Sequence, residues 1–169
     1  MFSRAGRASI FDREAFNEAF FDSEAMADGA IVVASVGALS YVGAIFLGPF
    51  SFSITGLFSS LITAVVSWLI LGFATWFAAS RLFGASSRPQ TLLALHGLAV
   101  LPLLLEIPGG LAAAAGLVWY LVVLVVATKV ATDLVTREAG VSVLIGFAVA
   151  ALIRALISVP FAVFSGIFG

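Results

Sequence analysis

Between Arg88 and Arg137 the chain carries two long apolar runs joined by a short break, Glu106-Ile107-Pro108-Gly109-Gly110. Basic residues stand at the outer ends of the pair, Arg88 at one and Lys129 and Arg137 at the other, and none stands at the break. Two helices that cross a bilayer and return leave that pattern, because lysine and arginine are retained on the cytoplasmic side. Composition points the same way: of 169 residues, 62% are hydrophobic and 10% are charged, where a soluble domain has about a quarter charged. Too few polar side chains remain to cover a water-facing surface, so lipid is the natural solvent.

Apolar runs fall at 29–48, 56–83, 91–106, 111–134 and 141–168. Crossing about 30 Å of hydrocarbon at 1.5 Å per residue takes ~20 residues. Only the third run falls short of that. It also contains Pro102, which predicts a kinked or tilted helix drawing on its flanks. Gly48-Pro49 marks the stop of the first run. The short alternating strands of an outer-membrane barrel are not seen, which leaves helices as the spanning structure. The expected fold is all-α: an integral membrane bundle of five transmembrane helices over residues 29–169, preceded by a cytoplasmic segment over residues 1–28.

Orientation follows from the basic residues. Arg4, Arg7 and Arg13 precede the first run, Arg81 and Arg88 bracket the second connection, and Lys129 and Arg137 bracket the fourth. The connections at 49–55 and 106–110 have none. Five crossings put all of these residues on one side, with the N-terminus cytoplasmic and the C-terminus extracytoplasmic. Four or six crossings would split them. Abundant alanine, glycine, valine and leucine with a single lysine suit a GC-rich bacterial gene, hence the bacterial plasma (inner) membrane. The first apolar run follows an acidic segment and not a short basic leader, so it reads as a retained anchor.

Residues 1–9 read as a mobile basic terminus. Asp12 is the expected N-cap of a helix from Arg13 to Phe21. On that short amphipathic helix Phe16, Ala19 and Phe20 share one face. This face is a candidate for partner docking, or else for packing on the protein's own helix ends. The segment carries Asp12, Glu14, Glu18, Asp22, Glu24 and Asp28. Interfacial helices are usually basic, so a basic protein surface is a better expected partner here than anionic lipid.

Small residues recur at helix-packing intervals: Ala30, Ala34 and Ala38, then Ser40, Ala44 and Gly48, in the first run; Ala112 and Gly116 in the fourth; Gly146 and Ala150 in the fifth. Such spacing lets backbones approach closely, within one bundle or between subunits. Intramembrane ionisable groups are functional suspects by default. Arg154 lies about 20 Å into the fifth run by helical rise, and Glu106 ends the third. The two fall in the same half of the bilayer, so the candidate intramembrane polar site is Arg154, Glu106 and His96. The plain reading has Arg154 snorkelling or pairing structurally and His96 packed in a hydrogen bond. Lys129 and Asp133 are spaced to pair along one helix. Trp68, Trp76, Trp119 and Tyr120 read as packing and interface anchors.

Reactive constellations are not found. Cysteine is absent and His96 is the single histidine, so neither thiolate nor paired-imidazole chemistry is available. No phosphate loop, zinc-protease or nucleophile-elbow motif occurs, and Gly109-Gly110 follows a proline and serves a turn. With net charge -1 no global field favours nucleic acid. The expectation is no enzyme, no cofactor and no metal.

Several features in order resemble the bacterial branch of the Yip family, membrane proteins named for interaction with Ypt/Rab GTPases. They are Phe11-Asp12-Arg13-Glu14-Ala15-Phe16 with Asp22-Ser23-Glu24-Ala25; Arg81-Leu82-Phe83-Gly84; Thr91 to Gly97 with Leu101-Pro102; and Trp119 with Thr136-Arg137-Glu138-Ala139. The likeness covers about residues 10–157 and implies a five-helix bundle with a cytoplasmic N-terminus. The family's Asp-Leu-Tyr-Gly-Pro-type motif is missing and the N-terminal region is short, so Rab binding is not implied. The expected function is a non-enzymatic membrane scaffold or accessory subunit. Its partners would be the lipid bilayer and other membrane proteins or a second copy of itself, with no nucleic acid. The alternatives are a small transporter or channel using Arg154, Glu106 and His96, and a subunit of a photosynthetic or respiratory complex with His96 near a pigment.

Overall fold

A computed structural model describes residues 1–47 and 52–168, with side chains described through residue 156. All described elements are helices: α1 (Phe2–Ser9), α2 (Arg13–Phe20), α3 (Ala25–Leu47), α4 (Ile54–Phe83), α5 (Pro89–Leu98), a 3-10 helix (Leu101–Glu106), α6 (Gly110–Thr132) and α7 (Thr136–Phe168). The expected stop at Gly48-Pro49 lies outside the described residues.

Helix ends follow local chemistry. Ser53 caps α4 by accepting from the Gly56 N–H at 3.4 Å. At the other end Gly84 takes φ 69°, and Ala85 N–H donates back to Ala79 O, a left-handed stop that glycine adopts without steric cost. Pro89 opens α5 at the first helical position, where its missing N–H costs nothing. Between the 3-10 helix and α6, Gly109 and Gly110 take φ 71° and 56°, a pair that side chains would strain. Across the connection containing the undescribed residues, the Tyr41 hydroxyl accepts from Ser53 N–H at 2.8 Å and donates to Ser53 O at 2.9 Å.

Among the described residues four helices are long and apolar enough to cross a membrane: α3, α4, α6 and α7 over its described part. Only 17–28% of each apolar window is buried. Large apolar side chains such as Phe46, Phe58, Ile62, Leu111 and Leu152 are exposed. Water would penalise that surface at about 25 cal/mol per Å², whereas lipid does not. The chain has the architecture of a multi-pass membrane protein.

The third apolar run is built differently. Pro102 has no N–H to give Leu98, and the regular ladder fails there. The chain continues through tighter bonds, Leu103 N–H to Val100 O at 3.0 Å and Ile107 N–H to Leu104 O at 3.2 Å. A kink was expected; the result is α5 followed by a separate 3-10 helix. Every residue from Leu92 to Val100 is buried. α5 is therefore the axis of the bundle, enclosed by α3, α4, α6 and the α1–α2 pair, with no lipid-facing side along that stretch. α7 packs along α4 and α6.

Glycine permits these approaches. A Cβ on Gly97 would stand 2.6 Å from Gly29 Cα, backbone against backbone where α5 crosses α3. One on Gly116 would stand 2.7 Å from Pro102 O, and one on Gly146 would meet Thr75 and stand 3.1 Å from Leu71 O. Of the small residues singled out by spacing, Gly116 and Gly146 are buried at helix crossings, whereas Ala30, Ala34, Ala38, Ala112 and Ala150 are only partly buried. On α3 the tight positions are Gly29 and Gly37, where a Cβ on Gly37 would stand 2.8 Å from Ala64 Cβ.

Residues 1–9 are not a mobile terminus. They form α1, with Ala5 and Ala8 fully buried. α1 packs on α2, joined by the pairs Arg4–Asp22 and Arg7–Glu18, and the turn between them holds Phe11 at φ 66°.

Candidate functional site

The polar contacts of interest gather around α5. Trp68 of α4 donates its indole N–H to Leu93 O at 3.1 Å, and Trp76, two turns on, donates to Ser87 O at 2.9 Å. Trp119 of α6 donates to Ser9 O at 2.7 Å, at the end of α1. Each indole satisfies a backbone carbonyl on another element, so these residues are clamps between helices. Anchoring was expected of them, but their acceptors were not legible, because Trp119 and Ser9 are far apart in the chain.

His96 is fully buried on α5 with its Nε2 2.9 Å from Thr128 Oγ1 of α6. Thr128 O in turn accepts from Thr132 Oγ1 at 2.6 Å. Among the described residues His96 Nδ1 has no partner. Thr128→Val leaves both ring nitrogens unpaired and is expected to cost about 1–3 kcal/mol, while the double replacement His96→Leu with Thr128→Val removes both partners and should stay within about 1 kcal/mol of the parent. Comparative thermal unfolding in detergent checks the pair. The opposite order would mean that the imidazole does more than pack.

Arg154, Glu106 and His96 lie on three different elements. Glu106 is exposed at the end of the 3-10 helix, which packs on α6 and α3. Arg154 is exposed on α7, which packs on α4 and α6. Among the described residues no ion pair joins Glu106 to Arg154. The expected Lys129–Asp133 pair is replaced as well: Asp133 leaves the helix at φ 56° as the C-cap of α6, and Lys129 Nζ instead donates to Thr136 Oγ1 at 3.2 Å. Asp tolerates the left-handed region better than most side chains, which explains the stop. Among the described residues no cluster of metal-ligating side chains occurs.

The α1–α2 pair carries the densest charge. Asp12 caps α2 as expected, accepting from Glu14 N–H at 2.9 Å. It also accepts from Arg7 Nε at 2.7 Å, while Arg7 reaches Glu18 at 2.9 Å. Arg4 meets Asp22 at 2.7 Å and lies 3.7 Å from both Glu18 and Asp28, tying α1 to α2 and α3. The basic surface that the acidic segment needs is thus α1 of the same chain. Opposite charge in residues 1–9 and 12–28 was the signal for it. Phe16 and Ala19 of the candidate docking face are buried within the chain, and Phe20 is 40% exposed.

Arg7 holds the Asp12 carboxyl below the usual carboxylate range, helped by the Glu14 N–H and opposed by partial desolvation. Asp22 is lowered first by the Glu24 N–H and then by Arg4. Groups with lowered values support the fold fully above their ordinary pKa, about 3.9, and lose that support as pH falls through the lowered values. The α1–α2 pair is therefore expected to stay docked from neutral pH to about 4 and to loosen below it. Trp119 emission, in a background with Trp68 and Trp76 replaced by phenylalanine, should shift to the red over that window. Unchanged emission down to pH 2.5 would sink the idea.

Compared with known proteins, the chain matches no family model, no curated protein and no solved structure.

Proposed function

We propose that this protein is a non-enzymatic scaffold or accessory subunit of the bacterial inner membrane, crossing five times with its N-terminus in the cytoplasm. The fifth crossing would be α5 with its 3-10 helix. Contacts Gly97 with Gly29 and Ile107 with Gly43 support it, because they carry this segment alongside α3 for fourteen residues, about 21 Å at 1.5 Å per residue. The orientation rests on the clustering of Arg81, Arg88, Lys129 and Arg137 at one end. The Yip resemblance rests on residue order alone and stands as part of the proposal.

One observation carries the scaffold reading. Along the outward face of α6, Ala114 and Ala115 are exposed between Leu111 and Val118, forming a shallow, open groove beside Phe11 and Trp119. Small residues on a lipid-facing helix let a second helix approach its backbone. Meanwhile the bundle axis is filled by α5, and the three ionisable residues that a transporter would use lie on separate elements. The test is solubilisation of native membranes in mild detergent. Ala115→Phe fills the groove and should release a stoichiometric partner, or a second copy, that the parent protein retains. A strictly monomeric parent with nothing bound at stoichiometric level would end the proposal. Solute flux in proteoliposomes abolished by Arg154→Ala and Glu106→Gln would favour the transporter instead.

A further inference from the structure

Where the α2–α3 turn faces the start of α5, a cleft of about 450 Å³ opens. That volume lies within the range of small-molecule sites, roughly 300–1,000 Å³. One part of its lining is polar, with Ser23 and Asp22 from the turn and Arg88, Gln90 and Thr91 from α5. Another part is apolar, with Phe20, Phe21, Met26 and Ala94. Such a lining suits neither a purely aqueous solute nor an acyl chain alone.

Charge narrows the occupant. Both Asp22 oxygens are engaged, Oδ1 by the Glu24 N–H at 2.9 Å and Oδ2 by Arg4 Nη1 at 2.7 Å. Asp22 thus pairs with Arg4, which also faces Glu18 and Asp28, and among the described residues no carboxylate pairs with Arg88. Arg88 is exposed, and among the described residues it has no ion pair. Its backbone is held in place, since Trp76 grips the preceding carbonyl, Ser87 O. A guanidinium with free donors on a fixed backbone is suited to a phosphate oxygen pair. The rings beside it are outward-facing, Phe20 at 40% and Phe21 at 85% exposed, and offer an apolar wall next to the guanidinium. The cleft sits at the bundle end that also carries Arg81, Lys129 and Arg137, the end suited to an anionic leaflet.

We infer that this cleft holds one anionic glycerophospholipid, its phosphodiester on Arg88 and Thr91 and its glycerol and upper acyl chain against Phe21 and Met26. The assignment rests on the proposed orientation only for which leaflet supplies the lipid. The site itself is testable in detergent, where orientation and partner proteins play no part.

The experiment is native mass spectrometry of the delipidated protein with added phosphatidylglycerol, phosphatidylcholine or inorganic phosphate. The parent should retain one phosphatidylglycerol per chain at concentrations where phosphatidylcholine is not retained. Arg88→Gln should weaken that retention at least about tenfold, the loss of a charge-assisted contact. Arg137→Gln, at the same end but outside the cleft, should leave it unchanged. Arg88 is exposed, so the variant is expected to fold, and unchanged thermal unfolding verifies it. Equal retention by Arg88→Gln, equal retention of phosphatidylcholine, or displacement by an equal concentration of inorganic phosphate would each overturn the inference; the last would mark a soluble phosphate site.

Discussion

Gly97→Ala is expected to destabilise the bundle by about 1–3 kcal/mol, the range for overpacking a filled core, whereas Gly140→Ala should gain about 0.5–1 kcal/mol. The chemistry is the same in both. Each glycine lies within a helix, and alanine is the better helix former at each. The difference is what the new methyl meets. At Gly140 there is nothing within 4 Å, while at Gly97 the Cβ would stand 2.6 Å from Gly29 Cα and 2.8 Å from Gly29 C. Those atoms are backbone, so no rotamer change relieves the contact, and α3 and α5 must separate. At about 2–4 °C per kcal/mol for a chain of this size, the two variants should bracket the parent in thermal unfolding. A Gly97→Ala protein as stable as the parent would mean that α5 does not cross α3 at Gly29.

Phe16→Ala is expected to cost about 3–5 kcal/mol, the range for truncating a buried phenylalanine, with Phe20→Ala staying within about 0.5 kcal/mol. Phe16 is fully buried and Phe20 is 40% exposed, although they lie on neighbouring turns of α2. The loss should be local first. α2 should come away from α5, and amide exchange from Leu92 to Val100 should quicken before the long helices respond. Had the α2 face been reserved for a partner, both substitutions would leave the isolated protein's stability intact and both would weaken capture. The stability of the two isolated variants therefore separates an internal strap from a docking surface.

Part of this arrangement is legible in the residues. The α2 cap can be read from Asp12 and the break in the third run from Pro102, because each depends on a few adjacent atoms. The use of Gly116 and Gly146 follows from their spacing. Gly29 and Gly97 escape such a reading. Each is a lone glycine among apolar neighbours, and only the crossing of two helices distant in the chain makes either one necessary. His96 and Thr128, or Trp119 and Ser9, are joined for the same reason and leave no local trace. The candidate polar site is less legible: Arg154 and Glu106 share a half of the bilayer by residue count, but depth along a helix says nothing of which face each side chain occupies.

By itself the sequence determined that this chain belongs in lipid and that it is helical, because apolar content and run length are sums over residues and need no partner. It also determined where the chain turns, because glycine, proline and capping side chains act within a few residues. Only the tertiary structure decided that the shortest apolar run is the axis of the bundle, and that the charged N-terminus folds back over it. Length measures the ability to cross a bilayer, whereas burial depends on which neighbours close around a helix. Here α3, α4 and α6 enclose α5, and α1 and α2 complete the closure, held by Phe16, the Trp119–Ser9 bond and the ion pairs of Arg4 and Arg7.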